Sequence, residues 1–231
     1  MKGIVVALRS ELWGIGGLDD PKSLDPQLDF IVTGMGQENV KKKLSEANFK
    51  EFDFIISAGF AGGLRPNFKS GNLCKVEKVS LFGSEQDGPI DLMTNFSKLY
   101  SELGVTGLPC GLVTAKDPIH DPEEKKRLFQ STGADIIDME TYWIAKYAVK
   151  NDIPMVGIRA IFDKVEDRLL PDRCYSSQSA QIRPFATLKW LGKNPLNVFE
   201  LLKMGINSIK ARKALSKELR SILTHEEVQA R

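Results

Sequence analysis

Up to about residue 182, short apolar runs alternate with helical or loop-like stretches. GIVVAL (3–8), DFIVTG (29–34), DFIISAG (53–59), CGLVTA (110–115) and PMVGIRAIF (154–162) are β-rich, and several are apolar throughout. A strand with no polar face is buried on both sides, so the pattern predicts a largely parallel sheet covered by helices. LCKVEKVSLF (73–82) alternates apolar with polar residues and predicts a longer, half-exposed strand. Residues 41–48 and 140–150 predict helices between the strands.

The pattern then changes. From Pro184 onward the chain reads as helix, broken near residues 192–195. Phe199, Leu202, Ile206 and Ile209 keep helical spacing, while Lys203, Lys210, Arg212, Lys213, Lys217 and Arg220 make the stretch basic. Two readings stand: a helix packed on the domain with a solvated basic face, or a helix facing a partner or a membrane surface. The division is therefore an α/β domain over 1–183 and a basic amphipathic extension over 184–231.

Composition narrows the class. The 231 residues can bury a substantial core, and a formal charge of +2 with mixed signs calls for no nucleic acid. Three scattered cysteines, Cys74, Cys110 and Cys174, have no CxxC spacing, which fits a reducing compartment and argues against structural zinc. The apolar run in MKGIVVALRSEL is too short for a signal peptide, and no window reaches the length of a membrane span. A cytoplasmic protein is expected.

Candidate chemistry gathers at strand ends. In DIIDMETYWIAKYA (135–148), Asp138 stands where an N-cap would and Glu140 falls in the first turn of a helix. The helix dipole alone favours an acid there. Yet Glu140, Ile144, Tyr147 and Ala148 share an apolar face, and a carboxylate on such a face needs a hydrogen-bonding partner. Asp163 closes GIRAIFDKV, either as a turn starter or at the carboxyl end of a strand where α/β proteins bind ligands. Arg159, inside that strand, needs an acidic or carbonyl partner. Arg9 and Glu11 lie just beyond the first strand.

Glycine clusters follow two strands, TGMGQENV (33–40) and SAGFAGGLRP (57–66), but neither is a GxGxxG fingerprint, and no GxxxxGK[ST] occurs. The two histidines, His120 and His225, lack metal-ligand spacing, and there is no GxSxG elbow. A Cys110–His120 dyad is the weakest reading. No metal or cofactor is expected.

In order, SEL, GMG, IISAGFAGGL, LVTAKDPI and DMETYWIAKYAVKNDIPMVGIRAIFD resemble the nucleoside phosphorylase/nucleosidase superfamily over residues 2–168. That group includes purine nucleoside phosphorylases and methylthioadenosine/S-adenosylhomocysteine nucleosidases. The resemblance implies a three-layer α/β/α fold with a twisted mixed sheet, an oligomer of at least two chains, and cleavage of a nucleoside by water or phosphate. By position, Asp163 corresponds to the acid that protonates the departing purine. Glu140 corresponds to the ribose-diol acceptor with Met139 packing on the sugar, and Glu11 to the residue that activates water. Ala61 and Gly62 would face the nucleophile pocket, Ile119 and His120 would lie near the base-recognition loop, and Arg9 would be the phosphate contact.

Phe162 stands before the acid where the family has a small hydroxyl residue, and Phe60 replaces a serine or threonine common in the nucleophile pocket. The basic tail is similar to the extension of hopanoid-associated phosphorylases. That likeness implies a 5′-modified adenosine such as adenosylhopane, and a contact with the inner membrane. A methylthioadenosine-type nucleosidase, or a catalytically silent nucleoside-binding protein on this fold, are the alternatives.

Overall fold

The computed structural model describes residues 1–15, 25–46, 52–84, 87–171, 174, 184–193 and 198–229. Its strands are β1 (Lys2–Val6), β2 (Leu28–Val32), β3 (Phe54–Gly63), β4 (Leu73–Leu81), β5 (Ile90–Asp91), β6 (Leu108–Thr114), β7 (Ile136–Asp138) and β8 (Met155–Asp163). The helices are α1 (Gln37–Glu46), α2 (Leu92–Glu102), α3 (Pro122–Thr132), α4 (Thr141–Lys150), α5 (Pro184–Lys193) and α6 (Val198–Gln229), with a 3-10 turn at Arg9–Leu12.

All eight strands belong to one mixed sheet. β3 runs parallel to β8, β8 antiparallel to β4, β4 and β6 parallel, β6 and β7 parallel, and β7 returns antiparallel to β3. Five strands thus close a ring. β1 and β2 extend it beyond the first half of β3, and β5 pairs with the far part of β4. The parallel pairing expected from the apolar runs holds around β1, β3 and β8, where Ile4, Ile55, Ile56, Val156 and Ile158 are buried. The antiparallel pairs come from the alternating β4 and the very short β5 and β7.

One irregularity positions chemistry. Between β3 and β8 the register steps from Ala61↔Ile161 to Gly62↔Asp163, so Phe162 is the extra residue of a bulge. A bulge re-aims the side chains around it. Here it brings Asp163 against β3 and leaves Phe162 to pack with Leu169, Leu170 and Met204, its ring stacked on Phe60 at 6.3 Å.

α2 and α3 are capped by Asp91, which accepts from Thr94 N at 2.8 Å, and Asp121, which accepts from Glu123 N at 2.9 Å. α6 lies along β8 and the 3-10 turn, burying Met204, Ala211, Leu215, Leu219 and Ile222. Thr106 donates to it through N and Oγ1, each 2.5 Å from Glu218. The packed face is not the one the sequence singled out. Phe199, Leu202, Ile206 and Ile209 point outward and are 53–69 % exposed. One stripe of the extension closes the core, as in the first reading, and a second, apolar one faces solvent. The break expected near 192–195 falls partly on residues outside those described.

Candidate active site

The 3-10 turn after β1 carries Glu11 into the interior, where the residue is buried. Its Oε2 accepts from Leu8 N at 2.8 Å and its Oε1 from Phe60 N at 2.9 Å. A Cβ on Gly59 would stand 2.8 Å from Oε1, so only glycine lets this carboxyl lie against β3. Burial pushes the Glu11 carboxyl above the ordinary range, against the pull of the two N–H groups and of Arg159.

Arg159 is a fixed charge under the site. Its five N–H donors are all engaged: Nε by Asp138 at 3.1 Å, Nη1 by the carbonyls of Ser57 and Ile158 at 2.8 Å, and Nη2 by Ser57 Oγ at 2.9 Å and Thr141 Oγ1 at 2.6 Å. Asp138 also accepts from Thr114 Oγ1 at 2.7 Å and from the N–H groups of Glu140 and Thr141. It thereby caps α4 from behind, and the formal N-cap, Glu140, is released from capping. Removing either member of the buried Arg159–Asp138 pair would cost about 3–5 kcal/mol.

Glu140 uses that freedom. Its Oε1 accepts from Gly36 N at 2.7 Å and its Oε2 from Met139 N at 3.3 Å. Gly36 sits at φ +79°, the left-handed conformation that turns its N–H toward the carboxyl. Met139 Cε lies 3.9 Å from where a Cβ on Gly36 would be, so methionine and turn form one wall. Burial, and then the nearby Asp138 carboxylate, push Glu140 up to about 8.

Glu11, Glu140 and Arg159 close a cavity of about 10 Å³ against Ala58, Gly59 and Phe60 of β3. That is room for about one water molecule. Further along the same strand lies the second feature. Asp163 is buried opposite Gly62, and Oδ2 is bound by the ammonium of Lys125, itself 1 % exposed. Burial raises the Asp163 carboxyl above its ordinary range, and the Lys125 charge opposes that rise. From Gly59 to Gly62 is three strand residues, about 10 Å.

The sequence-derived residues thus divide between two ends of one strip. Glu11 and Glu140 meet at the cavity, Met139 stands off its wall against Glu140 and the Gly36 turn, and Asp163 stands at the far end. Ala61 and Gly62 lie beside β8 and Asp163 rather than on the cavity, whose strand wall is Ala58 to Phe60. Ile119 packs under α3 with Leu64, Val113 and Leu128. The His120 carbonyl accepts from Leu169 N at 3.1 Å, tying that loop to the turn after β8. Arg9 is exposed and off the cavity wall. Cys110 and Cys174 are buried free thiols. Sequence reasoning missed Lys125, which sits in the charged run PEEKKR and has no mark of burial beyond its spacing from Leu128 and Phe129. It also missed Ser57 and Thr141 around Arg159.

Residues 108–182 match the model of the phosphorylase superfamily. No curated protein matches the sequence. Among solved structures, the fold is similar to futalosine hydrolase of Helicobacter pylori, with a TM-score of 0.66 and 13 % identity over 96 % of this chain and 97 % of that one. It is also similar to the H. pylori 5′-methylthioadenosine/S-adenosylhomocysteine nucleosidase, at 0.62 and 14 % over 99 % and 97 %. The Streptococcus pneumoniae nucleosidase bound to a transition-state inhibitor gives 0.62 and 15 % over 96 % and 98 %.

Proposed function

We propose that this chain, a member of the nucleoside phosphorylase/nucleosidase superfamily, is an enzyme that cleaves the N-glycosidic bond of a purine nucleoside with water as nucleophile. The observation that carries the reading is the one-water cavity walled by the two carboxyls Glu11 and Glu140. The donors around it are already engaged: Leu8 N and Phe60 N by Glu11, Gly36 N by Glu140, and all five of Arg159 inside the protein. What remains toward the cavity, among the described residues, is the two carboxyls with no free N–H of Arg159, which suits a water and offers a phosphate dianion no anchoring cation.

The chemistry follows from the strip. Glu11 takes a proton from the water as its oxygen bonds to C1′. The C1′–N bond breaks with its electrons passing to the base, and the sugar passes through an oxocarbenium-like state. Asp163, whose carboxyl burial raises above its ordinary range, donates its proton to the leaving purine. Glu140 accepts from the ribose hydroxyls. Those hydroxyls replace lost solvation, so a group protonated near neutral pH in the empty site ionises under the developing cation.

For the 5′ substituent we infer a large apolar group such as the polycyclic lipid of adenosylhopane. The supporting feature is an open groove of about 540 Å³ lined by Phe199, Leu202 and Ile206 of α6 and by Lys164, which directly follows Asp163. The same exposed stripe, flanked by Lys203 and Lys210, gives the protein a face for peripheral contact with anionic membrane. The alternative is a small 5′-methylthio group. Mass spectrometry of products from adenosylhopane and methylthioadenosine, each with and without phosphate, tests both choices. Adenine release from the lipid nucleoside without phosphate is expected. Release from neither substrate overturns the activity, and release from methylthioadenosine alone overturns the lipid assignment.

A further inference from the structure

Lys125 stands in a run of exposed charge, yet it is one of the largest side chains wholly inside the molecule. Its neighbours Glu124, Lys126 and Arg127 are all exposed. An ammonium has three N–H bonds, and here each has an acceptor: Asp163 Oδ2, the Lys164 carbonyl at 3.1 Å and the Asp167 carbonyl at 2.9 Å. A buried ion pair is weak evidence for stability, because well-packed apolar residues do as well. This one has its anion at the leaving-group end of the site. Phe162, the residue before that anion, is turned into packing with Leu170 and Met204 and offers no hydrogen bond.

We propose that Lys125 is the positioning residue of the acid Asp163, gripping Oδ2 so that Oδ1 is presented to the leaving base and stabilising the carboxylate left once the proton has gone. Both oxygens lie about as close to Gly62, at 3.4 Å and 3.5 Å from its absent Cβ, so the strand itself does not choose between them. The lysine does. When Oδ1–H passes its proton to the base, negative charge appears beside a fixed ammonium, which lowers the cost of the step. Lys125 keeps its own three protons throughout, and no further reactant enters.

The proposal rests on the hydrolytic reading for its chemistry, but its electrostatic content does not. The charged groups facing Asp163 are Lys125 from α3 and Asp167 from the turn after β8, whose carboxylate is bound by Lys203 at 2.6 Å and Asn207 at 3.1 Å from α6. From β3, Gly62 and Gly63 lie against Asp163, with Ile137 of β7 packed on Gly62, and none of the three carries a charge. Removing the ammonium leaves Asp163 with burial and the like-charged Asp167, so its proton is held more tightly. An opposite charge at contact distance is worth about 1–3 pKa units.

The test is the Asp163 carboxyl titration, followed by carbon-13 NMR on the full chain, in wild type and in Lys125→Met and Lys125→Gln. The midpoint is expected to rise by about 1–3 units in either folded variant. In turnover, the alkaline limb of the pH profile moves up, and kcat falls while KM changes little. A merely structural lysine would lower the melting temperature with kcat and the alkaline limb unmoved, and that result, or an unmoved midpoint, overturns the proposal. Should neither variant fold, the wild-type Lys125 ammonium resonance decides: slow exchange with water and a coupling to the Asp163 carboxyl support the grip, and rapid exchange overturns it. A chain that cleaves no nucleoside would sink the hydrolytic reading while the titration still answers for Lys125.

Discussion

Glu11 and Glu140 share the wall of one cavity of about 10 Å³, and backbone N–H groups rather than direct ion pairs hold both. Burial pushes both carboxyls up, and at Glu140 the nearby Asp138 charge and, less, that of Glu11 add to the rise. The cost is structural, and under the proposed hydrolysis it is offset at a bound sugar cation and an attacking water.

That arrangement sets a pH dependence of stability. Glu140 moves from an unfolded value of 4.5 to about 8 in the folded chain, so the folded state binds its proton more tightly. The resulting stabilisation is complete below the unfolded value and is lost as pH rises toward and through about 8. Glu140→Gln has no such titration. Between pH 5 and 9 the melting temperature of the variant is expected to gain steadily on wild type, by about 2–4 °C per kcal/mol. Parallel curves would remove the buried-acid account of Glu140.

Glu140→Gln also separates the ribose role from helix capping. Asp138 already accepts from the N–H groups of Glu140 and Thr141, so α4 keeps its cap in the variant. Charge-assisted bonds to the sugar contribute about 1.5–3 kcal/mol each. The loss in kcat/KM is expected to be far larger for a ribonucleoside than for its 2′-deoxy analogue. Equal losses would return Glu140 to the role of a dipole-complementing helix start.

Asp163→Asn keeps the shape of the acid and the contact with Lys125 while removing the proton. Turnover of a purine nucleoside is expected to fall about 10²-fold or more with the circular dichroism spectrum unchanged. Near-normal activity in a folded variant would disprove the leaving-group role.

The exposed stripe on α6 carries its own test. Deleting the helix is uninformative, since Met204, Ala211, Leu215, Leu219 and Ile222 cover β8 and the turn beneath. Phe199→Ser, Ile206→Ser and Ile209→Ser together leave that packing in place. Wild type is expected to bind anionic vesicles, to release them at high salt as headgroup attraction of about 1 kcal/mol per basic residue is screened, and to lose binding in the triple variant without a change in melting temperature. Wild type that stays in solution with vesicles present contradicts the membrane contact.

Much of this was legible in the sequence, and the reasons are physical. Strands buried on both faces leave continuous apolar runs, which marked β1, β3, β6 and β8 within a few residues. β7, three residues long, has too little pattern to stand apart from the helix after it. α2 and α3 carry mixed faces, and only their Asp caps announce them. Glu11, Glu140 and Asp163 were visible because each is an acid at a strand end or on an apolar face. Lys125 was not, because three acceptors supplied by residues 38 to 42 positions away make it a buried cation, and nothing local encodes them. The bulge at Phe162 was equally hidden, being a matter of register between β3 and β8.

The central claim is that the cavity between Glu11 and Glu140 delivers water to C1′. The direct measurement is product analysis after cleavage of a 5′-modified adenosine in oxygen-18 water with excess phosphate. The account predicts one heavy oxygen on the anomeric carbon of the released sugar and no sugar phosphate. Ribose 1-phosphate derivatives carrying no heavy oxygen at that carbon would contradict it.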